Sequence, residues 1–402
     1  LTDPRGASDK SGRTFNNPYQ YFFEQMHMDD AIYADESIYE YPMQQGGGND
    51  GRPYSFGRPS SGGSKAAYPC KSYGQGRINP AYFYGVFDPN DMRRDVSITM
   101  TGSNGKGVEK LIPFVPNSKA EGGGLTLNKW DENRQANPWV AAQRKSGING
   151  PYMRMSEVYL GYAEVCAALG DVVTGKQYLK TVRERSFPQG LANTDAFIAS
   201  FGNDLVRAII EERGFEYAGE GDRRWTLIRS GYLPEDIKRI KDMTKAMMDG
   251  LATKGYYEFE NGNIISAYIW TKLVDAKTIY GHRLTAQCPT DKVNDPVLYP
   301  GWRGQKDNWE EMGLNYGSST PATNLAIKGL FEIVSEEEAA SLESQGYAKV
   351  NWGIDLVDYR DEYDKYLFWD YDYVSAPIYL WPFTPNVMAA GGFTNGYGFK
   401  QE

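Results

Sequence analysis

Histidine is nearly absent: His27 and His282 are the only two in 402 residues. Neither sits in a partner motif, so each reads as a surface or loop residue rather than a base. Cysteine is almost as scarce. Cys70, Cys166 and Cys288 are odd in number and widely spaced, with no C-x-x-C pair, so zinc is not supported. Cys166 falls on a helical face and reads as a small core residue. There is no Walker motif or nucleophile elbow, and Gly105-Lys106-Gly107 does not open a helix after a strand in the Rossmann manner. No apolar run is long enough to span a membrane. Acids outnumber bases, 52 to 43, and the net charge of −9 argues against a nucleic-acid partner. No basic segment followed by an apolar one opens the chain. Leu1-Thr2-Asp3-Pro4 reads as the middle of a loop, so the expectation is a chain that begins inside a longer protein. No cofactor or metal is expected.

Aromatic residues, by contrast, are abundant, with 30 Tyr, 17 Phe and 9 Trp, and they accompany 44 Gly. Such rings on ordered loops suit sugars, peptides or protein surfaces. The same content also fits an irregular fold that packs its loops with Tyr. A Gly/Ser/Pro-rich tract runs from Gly46 to Ser64 and reads as loop. Before it, Glu36 to Tyr41 alternates enough to be a strand. Asp88, Asn90 and Asp91 lack the glycine and terminal glutamate of a calcium loop, so a turn or helix cap is expected there, with Arg93 and Arg94 paired to acids. Val96–Met100 and Leu111–Val115 read as a hairpin turning at Gly102–Gly107.

Residues 152–185 carry the clearest helical period. Met155, Val158, Tyr159, Tyr162, Val165, Cys166 and Leu169 recur at helical spacing. Gly170-Asp171 ends this helix, and Thr174 is the expected cap of the next. Gly161 and Ala163 are small enough for close helix approach. The pattern is that of a tetratricopeptide-type hairpin. Residues 203–230 form a second pair, with Asn203 or Asp204 as N-cap and Gly231 as C-cap. Two hairpins are too few to bury a solenoid, so further helices or the rest of the chain must cover them.

Between Glu211 and Gly231 lie five acids and four arginines. Glu211, Glu212, Glu216 and Asp222 could include a glycosidase acid and nucleophile. Interleaved with Arg213, Arg223, Arg224 and Arg229, they read instead as structural ion pairs. Residues 235–280 mix helix and loop. Beyond Pro289 the chain is rich in Pro, Gly, Trp and Tyr, with one short helix at Ser335–Glu343 capped by Ser335.

Several segments together resemble one family. Arg154-Met155-Ser156-Glu157-Val158-Tyr159-Leu160-Gly161-Tyr162-Ala163-Glu164 is similar to the RLAEVYLNYAEA helix of the SusD/RagB outer-membrane nutrient-binding lipoproteins. Gly170-Asp171 and Val182-Arg183-Glu184-Arg185 resemble the following GD…VRxRA helix. Glu212 to Trp225 resembles ERxxELAFEGxRRW, and Glu36-Ser37-Ile38-Tyr39 resembles ESIF. Asn90 to Arg94 resembles DPRR. Pro382-Phe383 and Thr394 to Phe399 resemble the PIPxxEI…TQNPGY tail. The order is kept from residue 36 to residue 399. Gly219, Thr384, Tyr397 and Phe399 depart from the pattern, which bears on local packing.

The resemblance implies a mainly α, SusD-like fold: tetratricopeptide-type hairpins at 152–231, a loop-rich region at 232–402 and a few short strands. Residues 1–402 would form one unit lacking its N-terminal helical part. The implied function is a cell-surface lipoprotein of the outer membrane, not an enzyme, that binds an oligosaccharide or peptide and caps a SusC-like TonB-dependent transporter. Its lipid anchor would lie outside this chain. Ligand contacts are expected from rings on loops: Tyr41, Tyr54, Phe56 and Tyr73, with Trp130 and Trp139, then Trp302 and Trp309. Two rivals are a glycan hydrolase with paired carboxylates and a helical scaffold that grips a protein.

Overall fold

The computed structural model describes residues 36–43, 55–59, 72–74, 76–103, 109–114, 124–130, 147–275, 323–361, 379–380, 383–392 and 394–395. It also describes positions 1, 7–8, 14–15, 19 and 22–23. Tyr54, Trp139, Trp302 and Trp309, both histidines, Cys70 and Cys288 lie outside them.

The fold is mainly helical with short antiparallel strands. Helices α1 (Pro80–Gly85) and α2 (Arg93–Ser97) come first. The first hairpin is α3 (Met155–Ala168) with α4 (Val172–Glu184). α5 (Thr194–Ala199) leads to the second, α6 (Leu205–Glu216) with α7 (Asp222–Ser230). Then come α8 (Leu233–Lys254), α9 (Glu336–Ser344), α10 (Gly353–Asp358) and α11 (Pro385–Gly391).

Local chemistry sets these boundaries. Gly170, at φ +87°, takes the reversal between α3 and α4 without a Cβ penalty. Asp171 Oδ1, not Thr174, caps α4 by accepting from the Thr174 amide at 3.1 Å. Asp204 caps α6 through the Arg207 amide at 3.0 Å. Ser335 and Glu338 form a full capping box on α9.

The hairpin closes where Leu160 and Ala163 meet Leu179 and Val182. Its close approach is at Gly175, where an added Cβ would sit 3.0 Å from the Ala163 carbonyl oxygen; Gly161 faces open space. Half of the apolar period on α3 points outward. Val158, Tyr162, Val165 and Leu169 are exposed, as are Val172 and Val173 at the start of α4.

α8 has 22 residues and lies where the sequence reads as a helix–loop mixture. Its buried stripe is Thr244, Met247, Met248 and Leu251, a Met-weighted face that is less conspicuous than a Leu/Ile one. The expected hairpin after Asp95 is shifted. Arg93–Ser97 is helical, and the Asp91 carboxylate just before it accepts from the Arg93 amide at 3.0 Å. Strand β5 (Thr101–Ser103) pairs with β6 (Glu109–Leu111), and β4 (Ile98–Thr99) pairs with β7 (Thr126–Leu127).

The remaining sheets are small. β1 (Ala7–Ser8) pairs with β2 (Thr14–Phe15). β3 (Ser37–Tyr41) pairs with β8 (Gly150–Arg154), and β9 (Tyr256–Glu258) with β10 (Ile264–Ser266). β11 (Tyr268–Asp275) lies between β12 (Thr323–Lys328) and β13 (Ala348–Asn351). The main core gathers Phe83, Tyr84, Phe215, Met247, Leu251, Ile269, Ile327 and Trp352. Trp352 Nε1 satisfies its buried N–H by donating to Tyr84 Oη at 2.8 Å.

Candidate functional site

The last two turns of α6 carry Glu212 and Glu216 into the interior, where four arginines from three other segments converge on them. Arg93 reaches Asp91 at 2.7 Å, Glu212 at 2.6 Å and Glu216 at 3.2 Å. Arg183 reaches Glu212 at 2.9 Å. Arg154 reaches Glu216 at 2.8 Å and Glu220 at 2.9 Å. Arg185 reaches Glu216 at 2.9 Å and also pairs with Glu36. Lys129 closes the array on Glu220 at 2.6 Å. Five acids thus face five bases, and no side chain among them is more than 7% exposed. The Glu216 backbone joins in, its carbonyl accepting from Tyr19 Oη, Lys129 Nζ and Arg154 Nη2.

The electrostatics follow from this enclosure. Burial alone would raise the Glu216 pKa, but Arg185, Arg154 and Arg93 outweigh it and hold the carboxyl well below the usual range. Burial pulls the Lys129 ammonium down to about 8 even though Glu220 favours its charge. The acids read as a glycosidase pair are therefore spoken for. Glu212 and Glu216 are sealed among arginines, and Glu211 binds Arg223 at 2.8 Å and Arg239 at 2.9 Å. Asp222 pairs with Arg213 and Arg229 with Glu164, so internal pairing accounts for only part of the segment. At the other acidic cluster, Asp88 Oδ1 caps the Asn90 amide at 2.8 Å, a turn rather than an ion cradle.

The surface chemistry lies on the strands anchored to this hub. In β3–β8 the register skips Tyr152, which bulges outward. Tyr152 is 72% exposed and meets Tyr39, 55% exposed, edge-to-face at 5.5 Å. Tyr41, at the strand end, is 61% exposed. Beside them Asn149 Nδ2 donates to Glu40 Oε2 at 2.8 Å, and Asn149 Oδ1 accepts from the Met43 amide at 2.8 Å. The result is a ridge of rings flanked by oriented polar groups, the usual makings of a sugar- or peptide-binding surface.

The model of the SusD family matches residues 5–383. The chain belongs to the SusD family. A SusD-like protein of Formosa agariphila is 28% identical over 160 residues, which are 40% of this chain and 26% of that protein. A SusD homolog of Bacteroides thetaiotaomicron has a TM-score of 0.41 at 18% identity, over 60% of this chain and 49% of that one. Surface glycan-binding protein A of the same organism, solved with laminarihexaose, has a TM-score of 0.36 at 17% identity, over 54% and 47%. The chain thus spans about a quarter of the curated relative and about half of these solved chains.

For this SusD-family chain, the ring residues expected to meet ligand scatter. Tyr41 is on the ridge; Phe56 is exposed and Tyr73 half-buried, both on the segments beside Gly76 and Leu127. Trp130 is a correction. It is fully buried in a cluster with Tyr19, Phe22, Phe23, Val96, Leu127 and Ile148, where apolar packing rather than ligand claims the indole. Tyr39 and Tyr152 are not among the rings expected from the sequence to meet ligand. Alternation across Glu36–Tyr41 was the available signal for Tyr39; the bulge that turns Tyr152 out has none.

Proposed function

We propose that the chain is the ligand-binding portion of a cell-surface glycan-binding protein, and that the Tyr39–Tyr152 ridge with Tyr41 is its contact surface. The exposed edge-to-face pair carries this reading: large rings held open to solvent on a braced strand pair are suited to stacking on a sugar face. Membership of the SusD family supports binding over turnover, as does the burial of Glu212 and Glu216 behind arginines. In this reading the protein is lipid-anchored at the outer membrane and delivers ligand to a TonB-dependent transporter. Further helices cover the exposed Val158–Leu169 stripe; a longer chain in which Leu169 and Val173 stay exposed counts against that cover.

The test is calorimetric titration with glycan and peptide panels, comparing wild type with Tyr39→Ala/Tyr152→Ala. Each ring is worth about 0.5–1.5 kcal/mol, so the double variant should bind glycan at least about fivefold more weakly. Its melting should fall only slightly, because both rings are exposed and the lost cross-strand pair is worth about 0.2–1 kcal/mol. Equal affinity would remove the ridge from the site. Binding of peptides alone would replace glycan with peptide as the ligand class. Co-purification with a TonB-dependent transporter tests that partnership.

A further inference from the structure

Strands β12, β11 and β13 turn one face to the core through Leu325, Ile327 and Ile269, and the other away from it. Period-two alternation puts three lysines on that outer face. Lys328 and Lys349 stand opposite Trp270, one on each neighbouring strand, and Lys272 follows two residues after Trp270. Lys349 is exposed and the other two are half-buried. Acids outnumber bases in this chain, 52 to 43, yet none of the three has a carboxylate in ion-pair distance among the described residues. Lys129, Lys176, Lys180 and Lys238 each have one. Helix α9, which joins β12 to β13, carries four glutamates, but its Glu338 is turned back to the Ser335 amide.

Neutral groups hold the lysines instead. Lys349 Nζ sits 4.1 Å from the centre of the Tyr268 ring and 5.9 Å from that of Trp270. Lys272 Nζ lies 5.7 Å from the Tyr347 ring and donates to the Gln345 carbonyl at 2.7 Å. A ring or a carbonyl fixes an ammonium in place without cancelling its charge, and leaves N–H donors in hand. The face is therefore a set of positioned, uncompensated cations. A membrane surface would meet lysines extended into solvent; two of these are folded onto the sheet at fixed points, which suits a discrete anionic ligand. We propose that this face binds acidic sugar units, its ammoniums pairing with carboxylate or sulfate groups of an oligosaccharide. The proposal rests on the glycan-binding reading above and adds to it a charge class and a second place on the chain.

The test is calorimetric titration of the whole chain with hexagalacturonate and a heparin-derived hexasaccharide, which separate carboxylate from sulfate, and with laminarihexaose as the neutral arm. Lys328→Gln/Lys349→Gln removes charges that no carboxylate balances, so it should melt close to wild type. It should weaken the bound acidic hexasaccharide about fivefold to tenfold, as expected for two solvent-accessible charge pairs, and spare laminarihexaose. Lys349→Arg keeps the charge and should keep the affinity. Added salt should weaken the acidic ligand and not the neutral one. Wild-type affinity for acidic hexasaccharides in the double variant, or none in wild type, overturns the site, and the ridge still stands if Tyr39→Ala/Tyr152→Ala loses laminarihexaose. Loss confined to the lysine variant supports this face and removes the ridge. Equal binding of hexaglutamate, or binding of anionic lipid vesicles without any hexasaccharide, overturns the sugar as occupant.

Discussion

Glu216→Gln should destabilise the fold far more than its modest change in shape implies. The carboxylate accepts from Arg154 at 2.8 Å, Arg185 at 2.9 Å and Arg93 at 3.2 Å, all of them shielded from water. Glutamine keeps the volume but brings an amide N–H₂ toward three guanidinium donors, and it leaves five bases facing four acids. Breaking a buried pair from one side costs about 3–5 kcal/mol, because the remaining charge stays desolvated. The comparison variant is Glu164→Gln on the Arg229 pair, where the arginine side chain is 47% exposed. There the loss should be under about 1 kcal/mol. Urea unfolding at pH 7, followed by circular dichroism and tryptophan fluorescence, measures both. Acid adds a second reading. Because the folded Glu216 pKa is depressed, its contribution is present above the ordinary carboxylate range and is lost as pH falls toward the folded value. Glu216→Gln should therefore flatten part of the acid limb. Similar small losses in the two variants, with parallel acid limbs, would refute the claim that this network holds the helices together.

Lys129 makes the opposite pH prediction. Its folded pKa of about 8 lies below the ordinary 10.5, so between those values the unfolded chain binds the extra proton and stability rises with pH. The gain is on the order of 3 kcal/mol across the window. Denaturant unfolding from pH 7.5 to 10 should show a rise in wild type that Lys129→Met lacks; parallel curves would refute it. Gly175→Val should cost about 1–3 kcal/mol by overpacking against the Ala163 carbonyl oxygen. Gly161→Ala, facing open space within α3, should be neutral or stabilising by up to about 1 kcal/mol. Thermal melting of the pair checks both signs, and a destabilised Gly161→Ala would misplace the helix interface.

What the sequence made legible was local chemistry. Gly170, Asp204, Gly231 and Ser335 mark helix ends because a cap is decided within four residues of its own backbone. The α3 period was plain, but periodicity cannot say which half of a wide apolar stripe is covered. Leu160 and Ala163 are buried while Val158 and Leu169 are not. The α6 acids were readable as ion-pair formers, though not their partners. Arg93 lies 119 residues from Glu212, and Glu36 lies 149 from Arg185, separations that only the closed fold brings together. Trp130 misled for a related reason. A Trp in a polar stretch can stack on ligand or fill a core, and only tertiary placement distinguishes the two.

The hub and the ridge are mechanically one object. Glu36 immediately precedes β3 and Arg154 is the last residue of β8, and Ser37 pairs with Arg154 in the ladder. Both strands are thus fastened at the same end, Glu36 through Arg185 and Arg154 directly, to Glu216. A two-stranded ribbon is marginal in water on its own. Here it would splay at the Tyr152 bulge unless its base were fixed. The buried charges supply that fixation with directional, multiply bonded contacts, which an apolar plug of equal volume would not orient. Aromatic side chains can then project into solvent from a rigid base instead of collapsing onto it. This separates two jobs that the sequence presents side by side. The buried carboxylates are closed off from solvent, yet their substitution should weaken binding at the proposed ridge by loosening the ribbon. Substitution of the ridge itself should leave the hub intact.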